Sequence, residues 1–245
     1  MKKSLMILII LLAIGAGAYY LYKQSRPIVV ENTTVDDTKD ETPISIATKE
    51  IREENYMGSK PEITGTTKLA ITAREYIEQA VKTFGDQANA DVPAMREEFG
   101  PDSPTASYSI EIQASLMESA NTESIIISEY VYSGGAHGSS SYRVLTASKE
   151  NGEILTLSDI VKQDKQGEFT SLVKNKLIAW RPSGSGDAPV VFPEDVANLT
   201  FYSFTNWALN DENLIIYFSQ YEVGPGVLGA FGLPITLSEI KDLLL

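Results

Sequence analysis

Apolar and polar residues change their period several times along this chain, and each change predicts an element. The longest apolar run comes first: Leu5 to Tyr22 (LMILIILLAIGAGAYYLY) contains no charged residue. Eighteen helical residues reach about 27 Å, close to the roughly 30 Å hydrocarbon core of a bilayer. A cleaved signal peptide has a shorter apolar region, about 7–15 residues, ending in a small-residue site. Ala16-Gly17-Ala18 offers such a site, but Tyr19 to Tyr22 carry the run past it, and tyrosines suit a membrane interface. The pattern predicts an uncleaved transmembrane signal anchor over residues 5–22, with cleavage and export as the alternative. Residues 1–4 become a short cytoplasmic tail and the rest of the chain lies outside the cytoplasm, although Lys23 and Arg26 after the span weaken the charge bias. Residues 23–42, with Pro27 and the patch Asp36-Asp37-Thr38-Lys39-Asp40-Glu41, read as a flexible acidic spacer.

Beyond the spacer the periods alternate between strand and helix. Ile44 to Met57 alternates only partly and reads as a first strand region. Leu69, Ala73, Tyr76, Ile77, Ala80 and Phe84 share one helical stripe, with Arg74, Glu75, Glu78 and Lys82 off it. Asp86 to Pro104 reads as a loop with some helix near Pro93 to Glu98. Tyr108, Ile110, Ile112, Ala114 and Leu116 then alternate with polar neighbours, which marks a half-buried strand. Ser124 to Tyr132 and Ser140 to Ser148 follow as strands, broken by Gly134 and Gly135. Asn151-Gly152 predicts a hairpin turn into a strand at Glu153 to Leu157.

Ser158 is placed to cap a short helix, and Glu168 to Trp180 is a second amphipathic helix ended by Pro182. A flexible Ser183-Gly184-Ser185-Gly186 segment follows. Phe201 to Leu209 and Leu214 to Ser219 read as a central hairpin, Pro234 to Leu237 as the last strand, and Ser238 as the cap of a terminal helix. Strands and helices in blocks predict an α+β class: an antiparallel sheet with helices packed on one side, behind the membrane helix. The domain spans residues 43–245, with subregions at about 43–157 and 158–245.

Composition removes several function classes. The 245 residues include no Cys and one His, His137, so the common zinc ligand sets cannot be built and no metal or cofactor is expected. Lys+Arg number 20 against 33 Asp+Glu, and without Lys2, Lys3 and Lys23 the balance over residues 24–245 is 17 against 33, or −16. Such a chain repels nucleic acid and attracts cationic partners. Neither G-x-x-x-x-G-K-[ST] nor G-x-G-x-x-G is present, so nucleotide binding has no support.

The most distinctive short pattern is Tyr132-Ser133-Gly134-Gly135-Ala136-His137-Gly138. Paired glycines permit positive φ and close backbone approach, so the string reads either as a binding loop presenting His137 or as a tight strand connection. A Ser-His-Asp triad is conceivable from Ser139, Ser140 and Ser141, but the G-x-S-x-G elbow is missing. Ser171-Leu172-Val173-Lys174 fits S-x-x-K without its companion motifs. Glu97-Glu98 reads as solvated acid rather than a glycosidase pair. Aromatic residues crowd the second half, and rings at strand positions are usually buried, so only a solvent-facing surplus could stack on sugar.

Tyr132–Gly138, Thr156-Leu157-Ser158-Asp159-Ile160 and Phe218-Ser219-Gln220-Tyr221-Glu222-Val223-Gly224-Pro225, in that order and spacing, resemble a bacterial extracytoplasmic family. This RsiV/PdaC-type domain family of unknown function occurs in lysozyme-receptor anti-sigma factors and in the non-catalytic region of peptidoglycan deacetylases. The resemblance covers about residues 44–245 and implies a cell-wall-associated or lysozyme-recognising domain without chemistry of its own. It places candidate partner contacts at Gly134, Gly135, Ala136, His137 and Gly138, and at Tyr221, Glu222 and Pro225. Relatives often carry an aromatic residue and Ala after the equivalent of Pro225, where Gly226-Val227 stands here, a departure that bears on any contact made through that ring. Neither the relatives' catalytic domain, with its metal-binding His and Asp, nor a sigma-binding segment is expected within these 245 residues. The expected function is therefore non-enzymatic recognition of cell-wall glycan or a lysozyme-like cationic protein by a membrane-anchored domain. The alternatives are an envelope hydrolase using His137 and a structural domain for another membrane protein.

Overall fold

In the computed structural model, which describes residues 42–100, 103, 107–182 and 190–245, the chain opens with an antiparallel hairpin of β1 (Ser45–Arg52) and β2 (Met57–Thr64). The expected anchor over 5–22, nearly all of the 23–42 spacer, part of the Asp86–Pro104 loop and the Ser183–Gly186 segment lie outside the described residues. Among the described residues no helix is long and apolar enough to cross a membrane.

The expected single strand at Ile44–Met57 is in fact this pair. Gly58 and Pro61 conceal β2 in the sequence, since both are depleted in strands. Pro61 lies beyond Met57–Ser59, the residues that pair with the next strand, so its missing N–H interrupts no bond on that side.

The helix α1 (Lys68–Phe99) is twice the expected length. Thr67 caps it by accepting a hydrogen bond from Ala70 N, and Gly100 ends it at φ 93°. The expected loop after Asp86 is helical because Ala88 and Val92 continue the buried stripe of Ala73, Ile77 and Phe84. Asp86, Asp91 and Pro93 masked that continuation. Arg74 donates to the carbonyls of Ile63 and Gly65, and Arg96 to Glu54 O and Asn55 Oδ1, which fastens the helix to both ends of the hairpin.

After α1 come β3 (Tyr108–Glu118), β4 (Thr122–Ser133) and β5 (Ser139–Ser148), completing a five-stranded sheet in order β1-β2-β3-β4-β5. The expected all-antiparallel sheet needs one correction: β2 and β3 run parallel, because α1 crosses between them. On the helix face Ile110, Ile112, Ile125, Ile127, Leu145 and Ala147 pack with Ile77, Phe84 and Ala88. On the same face the Tyr76 ring lies 5.7 Å from the Arg143 guanidinium, and its hydroxyl bonds Glu129, whose carboxyl is raised by burial.

The turn at Asn151-Gly152 forms, with Gly152 at φ 71°, but the strand expected at Glu153–Leu157 reduces to a bridge between Ala147 and Ile154. The helix cap expected at Ser158 is Thr156, whose N–H and hydroxyl both donate to Asp159. Helices α2 (Gln166–Ala179) and α3 (Pro193–Asn198) follow, then β6 (Trp207–Leu209), β7 (Asn213–Phe218), β8 (Phe231–Thr236) and α4 (Leu237–Ile240). The terminal cap is Thr236, reciprocated by Glu239, rather than Ser238.

The last three strands form a second, antiparallel sheet with β7 in the centre. Its core gathers Phe169, Val173 and Leu177 of α2 with Phe201, Phe204, Trp207, Leu214, Ile216, Phe218 and Ile235. The two sheets meet where Ile126 and Val144, on the face opposite α1, pack against Ala208. There Ser124 and Thr146 share a buried hydrogen bond, and Thr146 donates to Trp207 O. The outer edge of β5 is satisfied rather than bare: Ser140 N bonds Gln220 Oε1, Tyr142 N bonds Ser219 Oγ, and Val144 N bonds Asn206 Oδ1. Residues Glu41–Leu245 thereby form one compact unit.

Candidate functional site

Two loops far apart in sequence supply the expected contact residues. The first, Ser133–Gly138, connects β4 to β5. Gly134 sits at φ 78°, a conformation glycine adopts without the Cβ penalty, and Tyr132 Oη closes the loop by donating to Gly135 O at 3.0 Å. Ala136 and His137 are exposed, whereas Gly138 is buried under the Tyr130 ring. His137 Nδ1 lies 2.8 Å from Gly138 O. A carbonyl only accepts, so Nδ1 carries the proton and Nε2 is left as an acceptor.

The second loop runs from Ser219 to Gly229. Tyr221 stands at φ 68°, the one non-glycine with positive φ among the described residues. Gln220 ties the loop to β5: its N–H donates to Ser140 O, and its side chain bonds both Ser140 N and Gly226 O. Pro225 leads into a single 3₁₀ turn at Gly226–Leu228. A Cβ on Gly226 would lie 2.3 Å from Tyr221 Oη, so the glycine leaves the space that the tyrosine ring fills.

The loops meet. Tyr221 Oη lies 3.1 Å from His137 Nε2, and the hydroxyl donates to the free nitrogen. The exposed His137 and Tyr221 are thus brought together, while Gly138, Val223 and Gly224 of the same loops are buried. Both His137 ring nitrogens are engaged, one by a backbone carbonyl and one by a phenol, and neither by a serine or a carboxylate. Among the described residues no group of three His, Asp or Glu is placed to hold a metal ion. The Ser171 and Lys174 side chains serve the fold, donating to Gly167 O and Ala197 O.

Glu222 plays a different part from its neighbour. Its carboxylate accepts from Ser219 N at 2.7 Å and so holds the turn that presents Tyr221. Although part of the residue is exposed, the surrounding protein desolvates the carboxyl and pushes it up to about 6, offset in part by that hydrogen bond. The folded state then keeps a proton that the unfolded chain releases, so stability falls as pH rises from about 4.5 to 6 and stays reduced above. Glu222→Gln keeps an acceptor for Ser219 and should remove this slope. The gain above pH 6 is at most about 2 kcal/mol and smaller because solvent screens the exposed part. Thermal midpoints from pH 4 to 7 check it, and an unchanged slope in the variant would refute it.

Beside the two loops, an open groove of about 310 Å³ is lined by Glu111, Gln113, Ser128, Tyr130, Ser140, Tyr142, Gly229 and Ala230, and also by Glu129 and Ser141, which the strand register assigns to the α1 face of the sheet. Strand register explains the set: Glu111 pairs with Tyr130, Tyr130 with Ser140, Gln113 with Ser128, and Ser128 with Tyr142. Tyr130 connects groove to loop, since its ring covers Gly138 while remaining 41% exposed. The β3 alternation predicts that Glu111 and Gln113 share a face, but not which features of a distant loop will wall it.

The comparisons agree with this architecture. Residues 158–238 match the family described as "Protein of unknown function (DUF3298)". Over 236 residues the chain is 22% identical to the peptidoglycan-N-acetylmuramic acid deacetylase PdaC of Bacillus subtilis strain 168, covering 93% of this chain. The chain spans about half (47%) of that relative's length. A DUF3298-family crystal structure from Bacteroides fragilis superposes with a TM-score of 0.58 at 18% identity, covering 82% of this chain and 93% of that one. Another from Pseudomonas aeruginosa PAO1 gives 0.52 at 16%, covering 86% and 96%. The family match is confined to residues 158–238, the likeness to the deacetylase runs along most of the chain, and the mixed α+β fold is shared with both crystal structures.

Proposed function

We propose that this protein is a membrane-anchored extracytoplasmic domain that recognises cell-wall glycan through the groove and the His137–Tyr221 surface, without chemistry of its own. The observation that carries the reading is the meeting of two loops, 84 positions apart in the sequence, beside a polar groove with a half-exposed tyrosine. A tyrosine face next to hydroxyl and amide groups suits a sugar, which offers one apolar face and a rim of hydroxyls. Similarity to a peptidoglycan deacetylase supports a cell-wall setting, and the uncharged run Leu5–Tyr22 supports the anchor. A second reading, a lysozyme-like cationic protein as partner, is favoured by the −16 balance of residues 24–245.

Calorimetry of the detergent-solubilised full chain with peptidoglycan fragments and with lysozyme, at two salt concentrations, separates the readings. Glycan binding that changes little with salt is expected, and Tyr130→Ala should weaken it about tenfold, on the order of one lost aromatic contact. Salt-sensitive lysozyme binding with no response to fragments would replace the glycan by the cationic protein. Binding of neither would overturn both.

A further inference from the structure

Of the two acids that line the groove, Glu129 is bonded by Tyr76, and Glu111 has no partner among the described residues. Ion pairs engage Lys49, Arg52, Lys60, Lys68, Lys82, Lys149, Lys165 and Lys176 with acids other than Glu111. Among the described residues no Lys or Arg lines the groove. Arg143 of β5 falls in register with Ile127 and faces α1 on the other side of the sheet. Gln113, Tyr130 and Tyr142 also line the groove, and among the described residues no protein hydrogen bond engages their side chains. Glu111, Gln113, Tyr130 and Tyr142 therefore border one recess with side-chain polar groups that no described residue engages. The volume of about 310 Å³ is at the small end for ligand sites, which span roughly 300–1,000 Å³, and suits one sugar ring rather than a folded partner.

Resting on the glycan reading above, we propose that this groove selects sugars bearing a free primary ammonium group, that is, de-N-acetylated amino sugars, with Glu111 accepting from the ammonium and Tyr130 covering the ring. An N-acetyl group in the same place offers the carboxylate one neutral amide N–H instead of a charged ammonium, and brings an apolar methyl and a carbonyl beside it. A charge-assisted hydrogen bond to an ammonium is stronger than a neutral one by an amount that favours the free amine about tenfold. The carboxylate lies in cross-strand register with Tyr130, so ring stacking and amine recognition act on one sugar.

The test is calorimetry of the full chain in detergent with glucosamine tetramer, N-acetylglucosamine tetramer and a lysine-containing tetrapeptide, for the wild type, Glu111→Gln and Glu97→Gln. Glu97 lies exposed on α1, so its variant carries the same charge change away from the groove and reports bulk attraction alone. Expected are about tenfold tighter binding of the glucosamine oligomer than of its acetylated counterpart, loss of that preference in Glu111→Gln, and its retention in Glu97→Gln. Equal binding of both oligomers, unaffected by Glu111→Gln, overturns the amine preference while leaving the glycan reading intact. Preference for the tetrapeptide reassigns the ammonium to a peptide and overturns the sugar. Binding of no oligomer overturns both readings.

Discussion

Replacing Phe169 by Ala should lower the unfolding free energy by about 3–5 kcal/mol, the usual cost of emptying a buried phenylalanine site. The side chain is fully buried on α2, edge-on to Phe201 at 6.0 Å and to Phe204 at 6.2 Å. Those rings come from the 3₁₀ turn before β6 and the residue after it, so Phe169 joins the helix to the second sheet rather than filling space within one element. Phe204 in turn lies edge-on to Phe218 of β7, and Phe218 stacks on Phe231 of β8. A void at Phe169 removes the first member of this series, and the backbone hydrogen bonds around it hold neighbours from closing in. Urea unfolding followed by tryptophan emission is a direct measurement, because both tryptophans, Trp180 and Trp207, belong to this core. A loss below about 1 kcal/mol would mean that the site collapses freely and that the series is not rigid.

Legibility in the sequence followed how locally each feature is determined. The β3 alternation, the β4 and β5 runs and the α2 stripe depend on side-chain period within one element, and the structure contains them nearly as expected. The second half of α1 failed because Pro93 and nearby acids weigh locally against helix, whereas Ala88 and Val92 are buried by a sheet the local pattern cannot see. Similarly, β2 is hidden by Gly58 and Pro61, which make sense only once its neighbour β3 is known to pair with three residues. At the candidate site, Gly134–Gly138 was marked by its glycines and by the resemblance, and Tyr221–Pro225 by the resemblance alone. Their contact through His137 and Tyr221 was not, since it spans 84 positions and depends on Gln220 bonding the edge of β5. The departure at Gly226 also has a physical account: a side chain there would displace the Tyr221 ring.

The parallel junction between β2 and β3 supplies the other large expected effect. Gly58 lies opposite Ile110, and a Cβ built on it would fall 1.7 Å from Ile110 O and 2.7 Å from Ile110 C. Main chain cannot rotate aside as a flexible side chain can, and Ile110 is itself held in the core at 1% exposure. Gly58→Ala must therefore part the strands at the register Met57–Ser59, which is all that joins the hairpin to the rest of the sheet by backbone pairing. Arg74 and Arg96 still tether the hairpin to α1, so the hairpin should detach locally rather than the whole chain unfold. The expected loss is about 3 kcal/mol or more, at the upper end for overpacking because the clash is with backbone. Hydrogen exchange should show β1 and β2 losing protection while β4 and β5 retain it. Gly167→Ala on α2 is the control: its Cβ would meet nothing within 4 Å, and a helical site should change by less than about 1 kcal/mol. Wild-type stability and unchanged β1–β2 protection in Gly58→Ala would show that the junction opens without cost and that α1, not strand pairing, holds the hairpin in place.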